Sequence, residues 1–153
     1  MATLKISDLS VGDWVGERCG TKIKAFKVAE IKFNKFIHKY VVILNNKVYG
    51  LPTTELHPIP ITAEILEKNG FTRRNSEFPI YEYATLLGKM LRTTVVSLNH
   101  PSSYIVCRIE DTSKELHEYD RITVNSSVER TPIYIHDLQH ALRLAGVDKE
   151  INL

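Results

Sequence analysis

The chain has 153 residues, 43% hydrophobic and 25% charged, with a formal net charge of +2. That is ordinary globular composition for one compact domain or two small ones, and it excludes a disordered or collagen-like chain. Cys19 and Cys107 are the only cysteines, too far apart in sequence to indicate a zinc site or a disulfide framework. No N-terminal apolar run suits a signal peptide and none is long enough to span a bilayer, which predicts a cytoplasmic protein. Without an export signal, the sequon Asn125-Ser126-Ser127 carries no meaning.

The charge is unevenly spread. Residues 1–58 hold 9 Lys/Arg and 5 Asp/Glu, a balance of +4, and residues 59–153 hold 11 and 13, a balance of −2. The basic half is the one compositional pointer to an acidic partner. In it, Gly12-Asp13 is turn chemistry and Trp14-Val15 begins a strand. Residues 23–33 are strand-like, but Phe26 and Val28 have one parity and Ile31 and Phe33 the other. A bulge near Ala29-Glu30 reconciles them. Residues 36–44 read as a second strand, Asn45-Asn46 as a tight turn, and residues 47–51 as a returning strand. Four or five short strands in this length predict a small SH3-like, barrel-like β module, an analogy that says little about function.

Lys22, Lys24, Lys27 and Lys32, followed by Lys35 and Lys39, are interleaved with Phe26, Phe33, Phe36 and Tyr40. Lysines on phosphates with an aromatic stacked on a base is a nucleic-acid surface. The ordinary alternative is that the lysines solvate the outer face while most of the aromatics point into the core. The run contains no arginine, the residue that dominates specific base readout.

Pro52, Pro58 and Pro60 mark the joint, residues 52–61, and exclude a central strand there. Thr62 then caps a short helix over 62–69, with Ile61 stapling to Leu66 and a Gly70-Phe71 ending. Arg73 and Arg74 follow in a polar loop, a candidate anion site. Strands are predicted at about 79–86, 91–98, 103–110 and 120–125, with a turn at Asn99–Ser102. Cys107 reads as a small core residue, and Asp111–Asp120 as a solvated acidic loop.

The closing stretch, residues 134–146, is the strongest helix signal. At roughly 100° per residue, Tyr134, Ile135, Leu138, Ala141, Leu142 and Ala145 share an arc of about 120°, and His136, Gln139, His140 and Arg143 oppose it. The helix is expected to start within 132–136, Thr131 being one possible cap, and to stop at Gly146-Val147. It should lie on one face of the strand meander, making the chain α+β with modules 1–58 and 59–153. His136 and His140, at i and i+4, are a candidate metal pair. Asp137 stands where the His-Glu-x-x-His peptidases carry glutamate, but it is one methylene shorter, and only His117 and nearby acids offer a third ligand. The alternative is that both histidines are solvated or bonded to neighbouring strands.

The chain resembles a group of uncharacterised small proteins encoded by phages and integrated mobile elements of gut anaerobes of the Bacteroides type. The residues that carry the resemblance are the opening Leu9–Val15, the lead Pro58–Thr62 with the helix ending Asn69-Gly70-Phe71, and the closing Tyr134–Val147; residues 72–130 match loosely. What the resemblance implies is a cytoplasmic accessory protein of a mobile element. It transfers no activity and no site residue.

No phosphate loop, dinucleotide fingerprint or Gly-x-Ser-x-Gly elbow occurs, and no catalytic set is complete. The expectation is therefore a non-enzymatic binding or adaptor module without a cofactor. Its partner would be a protein or a small molecule, the latter held in a cleft between the halves. Nucleic-acid binding by the basic half is the second expectation, and a metal-dependent hydrolase on His136 and His140 the third.

Overall fold

The computed structural model describes residues 4–74, 76–98, 103–114, 119–126 and 132–153, with the backbone alone for 119–126. The chain is α+β and divides into two compact units, Met1–Ile59 and Pro60–Leu153. Among the described residues, no helix is long and apolar enough to cross a membrane. The expected turn at Asn99–Ser102, the possible cap Thr131 and the third-ligand candidate His117 lie outside the described residues.

The first unit carries β1 (Trp14–Cys19), β2 (Lys22–Asn34), β3 (Lys39–Leu44) and β4 (Leu56–His57), in the sheet order β3-β2-β1-β4. This is an antiparallel sheet; no barrel closes among the described residues. β2 is the spine. Its first half pairs with β1, from Cys19↔Lys22 to Trp14↔Lys27, and its second half pairs with β3, from Val28↔Leu44 to Asn34↔Lys39. The register shifts between Val28 and Glu30, which is the bulge that the change of parity requires. Val15, Val28, Val42, Leu44, Leu51 and Leu56 form the core with Leu4 and Leu9, and Phe26 and Ile31 pack against it.

Two expectations for this unit are corrected. The strand predicted from Phe36 begins only at Lys39, because the Asn34 carboxamide oxygen accepts from Phe36 N at 2.9 Å and Ile37 N at 3.4 Å. An asparagine that bonds the backbone two residues on makes a turn in place of a strand. The returning strand at 47–51 is a single bridge, in which Val42 and Leu51 exchange two bonds of 2.8 Å.

The second unit contains α1 (Ala63–Lys68), β5 (Thr72–Arg73), β6 (Ile80–Leu87), β7 (Met90–Ser97), β8 (Tyr104–Asp111), β9 (Tyr119–Ser126) and α2 (Ile135–Leu144). β5 to β9 form an antiparallel meander in chain order. Thr62 caps α1 by accepting from Ile65 N at 3.3 Å. Both helices end alike. Gly70 and Gly146 turn left-handed at φ 76° and 63°, while Phe71 N donates to Leu66 O at 3.0 Å and Val147 N to Leu142 O at 2.8 Å. A side chain with a Cβ disfavours that conformation, so glycine marks each stop.

α2 packs on β8 and β9. Ile135, Leu138, Ala141, Leu142 and Ala145 are buried, and Leu144 is exposed. Thr94 and Cys107 are directly opposed on β7 and β8, and the Cys107 thiol lies 3.4 Å from both Thr94 Oγ1 and the Ala141 carbonyl oxygen. The Ala141 contact shows that α2 covers the sheet face that carries Thr94 and Cys107.

Burial pushes the Cys107 thiol pKa up, with the Thr94 hydrogen bond opposing it. A thiol protonated longer in the folded than in the unfolded chain contributes stability that is full below the unfolded pKa of about 8.5. That contribution is lost as pH rises through the folded value. Titration with a thiol reagent at pH 8 should therefore modify partly exposed Cys19 at once and Cys107 only on unfolding. Denaturation midpoints should fall above pH 8.5 by more in the native sequence than in Cys107→Ala.

Candidate nucleic-acid interface

Strand alternation sorts the lysines of β2. Lys22 and Lys24 oppose Cys19 and Glu17 and share the parity of Phe26 and Val28, on the core face. Lys27 opposes Trp14 on the other face, its Nζ 5.1 Å from the indole centroid. The bulge then puts Lys32 on the Lys27 face. The four lysines therefore make two pairs on opposite faces, not one continuous patch. Lys32 Nζ is also 3.9 Å from Glu30 Oε2.

The aromatics depart from the expected inward packing. Phe26 is half-buried, but Phe33 is 48% exposed, Phe36 97% and Tyr40 55%. The cause is the length of β2. Val28 bonds Gly12 and Asp13 as the last β2 residue with a partner on the β1 side, among the described residues. From Glu30 onward β2 is paired with β3 alone among the described residues, and the two run out as a ribbon closed by residues 35–38. Phe33 and Tyr40 continue the core face of Ile31 and Val42 past the end of the core.

On that face Phe33 opposes Tyr40, their ring centroids 5.4 Å apart and inclined at 68°. His38 adopts φ 50°, unusual for a residue other than glycine, and lays its imidazole edge-on to Phe33 at 6.4 Å. The opposite face carries Lys32 and the directly opposed pair Asn34 and Lys39, with exposed Lys35 and Phe36 at the turn. Between Glu30 and Ile43 the ribbon holds three lysines and one acid. Lys35 and Lys39 thus join the site together with the turn. The signal in the sequence was Asn34, a turn former between the two predicted strands, whose side chain extends the turn through Phe36 and Ile37.

The other candidates are placed as follows. His136 is 5% exposed, and its ring stacks on Tyr134 at 5.7 Å and 7°. His140 meets it edge-on at 6.2 Å. The helix face expected to be polar is therefore partly covered, with Gln139 buried as well. Asp137 Oδ2 accepts from Tyr134 N at 3.0 Å and so caps α2, and its Oδ1 lies 3.6 Å from His136 Nε2. Among the described residues, no three His, Cys, Asp or Glu side chains converge as a metal site. Arg73 donates to the Ser76 carbonyl at 3.1 Å, and Arg74 Nε lies 3.7 Å from Glu82 Oε2, so the adjacent arginines are held by different partners.

In the first unit Glu17, Arg18, Gly20, Thr54, Glu55 and His57 line a shallow cleft of about 490 Å³. Glu17 there pairs with Lys47 at 3.2 Å. The Tyr49 hydroxyl, accepting from Lys47, and then Glu17 hold that ammonium above its usual pKa.

Compared with protein-family models, with curated proteins and with solved structures, the chain matches none.

Proposed function

We propose that the chain is a non-enzymatic binding module whose working surface is the β2–β3 ribbon and whose partner is nucleic acid. The observation that carries this reading is the exposure of Phe33, Phe36 and Tyr40 beside Lys32, Lys35 and Lys39. Isolated exposed apolar residues are ordinary, but several aromatics on one projecting, lysine-bearing element are a binding surface. The first unit then serves as a small SH3-like mount for the ribbon. The likeness of the chain's two ends to mobile-element proteins supports a role as a cytoplasmic accessory protein that handles the element's nucleic acid.

The test is fluorescence anisotropy with labelled oligonucleotides over a series of salt concentrations. Affinity should fall linearly in log–log form, and Lys32/Lys35/Lys39→Ala should flatten the slope by about 2 for a single strand. Lys22/Lys24→Ala, on the other face and away from the turn, should change it less. Salt-independent binding, or no binding with a protein partner recovered instead, would replace this reading with the adaptor one.

A further inference from the structure

Resting on that reading, we infer that the ribbon selects unpaired nucleic acid, with a base stacked on the Phe33–Tyr40 pair and phosphates held by lysines at the rim. Alternation dictates the division of labour. Phe33 and Tyr40 occupy one face as a direct cross-strand pair, and Lys32 and Lys39 arise from the other. Both lysines sit on strand segments with an open outer edge among the described residues. Their flexible four-carbon stems can bend round the ribbon to the aromatic side.

The two rings are inclined at 68°, so one offers its face where the other offers its edge. A ring face exposed on the flat of a ribbon is a platform on which another flat group can stack face-on. Duplex DNA or RNA keeps its base faces inside the stack and shows side chains only edges, sugars and phosphates. An unpaired strand frees the faces, and stacking on aromatics tolerates any base. The missing arginines agree with this: the run is short of groups that read base edges, but rich in those that hold phosphates and cover rings. His38 lies edge-on to Phe33 at 6.4 Å, which adds a third ring to the same cluster.

The experiment compares the full chain with Phe33→Leu/Tyr40→Leu on an unpaired 12-nucleotide oligonucleotide and on a blunt duplex of the same length, with circular dichroism to confirm folding. Leucine keeps apolar area but has no ring face. Wild type should bind the single strand at least about tenfold tighter than the duplex. The double variant should lose about tenfold or more on the single strand and change little on the duplex. A 2-aminopurine base in the strand should change its emission on binding wild type, and less with the variant. Equal affinity for both nucleic acids, or an undiminished affinity of the leucine variant, overturns this inference while leaving the ribbon a phosphate-binding surface. Binding to neither, together with partition of the ribbon into anionic lipid vesicles through Phe36, overturns the underlying reading as well.

Discussion

Leu138→Ala is expected to destabilise the second unit by about 2–5 kcal/mol, the range for emptying a fully buried leucine site. Leu138 has no exposed surface, and its neighbours along the stripe, Ile135 and Leu142, are 0% and 1% exposed. α2 has ten residues, too few to hold as a helix alone, so its existence depends on this face being covered. The one tryptophan, Trp14, lies in the first unit and is a poor reporter here. Cys107 is the better one, because its thiol bonds the Ala141 carbonyl under the helix. Labelling of Cys107 under native conditions should accelerate by about 30-fold or more in Leu138→Ala, at roughly 1.4 kcal/mol per tenfold. Leu144→Ala, six residues further on and 65% exposed, should stay within about 0.5 kcal/mol of wild type. Equal effects at the two positions would mean that the stripe has been placed on the wrong side.

What could be read from the sequence was the local chemistry that overrides its surroundings. Thr62, Gly70-Phe71 and Gly146-Val147 set helix ends through bonds within a few residues, so their outcome does not depend on the rest of the fold. The meander strands were visible for the same reason, since alternation and turn residues are local. The bulge was legible from the slip between Val28 and Ile31. What escaped was set at a distance. Whether Phe33 and Tyr40 are core depends on where β1 stops pairing with β2, and nothing in the β2 pattern states that. His136 and Gln139 look like a solvent face on a wheel, yet both are buried, because a wheel shows direction and not what lies there. The same limit applies to the site. The lysines of β2 form a run in sequence, but the bulge and the period of two scatter them over both faces, leaving Lys32 beside Lys35 at the turn and Lys39 at the start of β3.

Asn69→Ala should cost about 2–3 kcal/mol, at roughly 1 kcal/mol for each of three hydrogen bonds. Asn69 is 6% exposed at the end of α1. Its Nδ2 donates to Ile65 O at 2.8 Å and Asn152 O at 2.7 Å, and its Oδ1 accepts from Asn152 N at 2.9 Å. One side chain thus imitates a strand neighbour for the peptide of Asn152, and holds the residue next to Ile151, which is fully buried. Asn69→Asp separates the parts. A carboxylate can still accept from Asn152 N, but it faces two carbonyl oxygens with no hydrogen to give. Its folded-state pKa must therefore rise above the ordinary aspartate value of about 3.9. The stabilising, protonated form is fully present below that value and is lost as pH climbs through the folded pKa. Relative to wild type at each pH, the aspartate variant should thus be least stable near pH 7 and recover toward pH 4, while the alanine variant shows a constant deficit. A deficit of Asn69→Asp that does not change with pH would show that the amide protons do not hold this segment, and that the burial of Ile151 alone does.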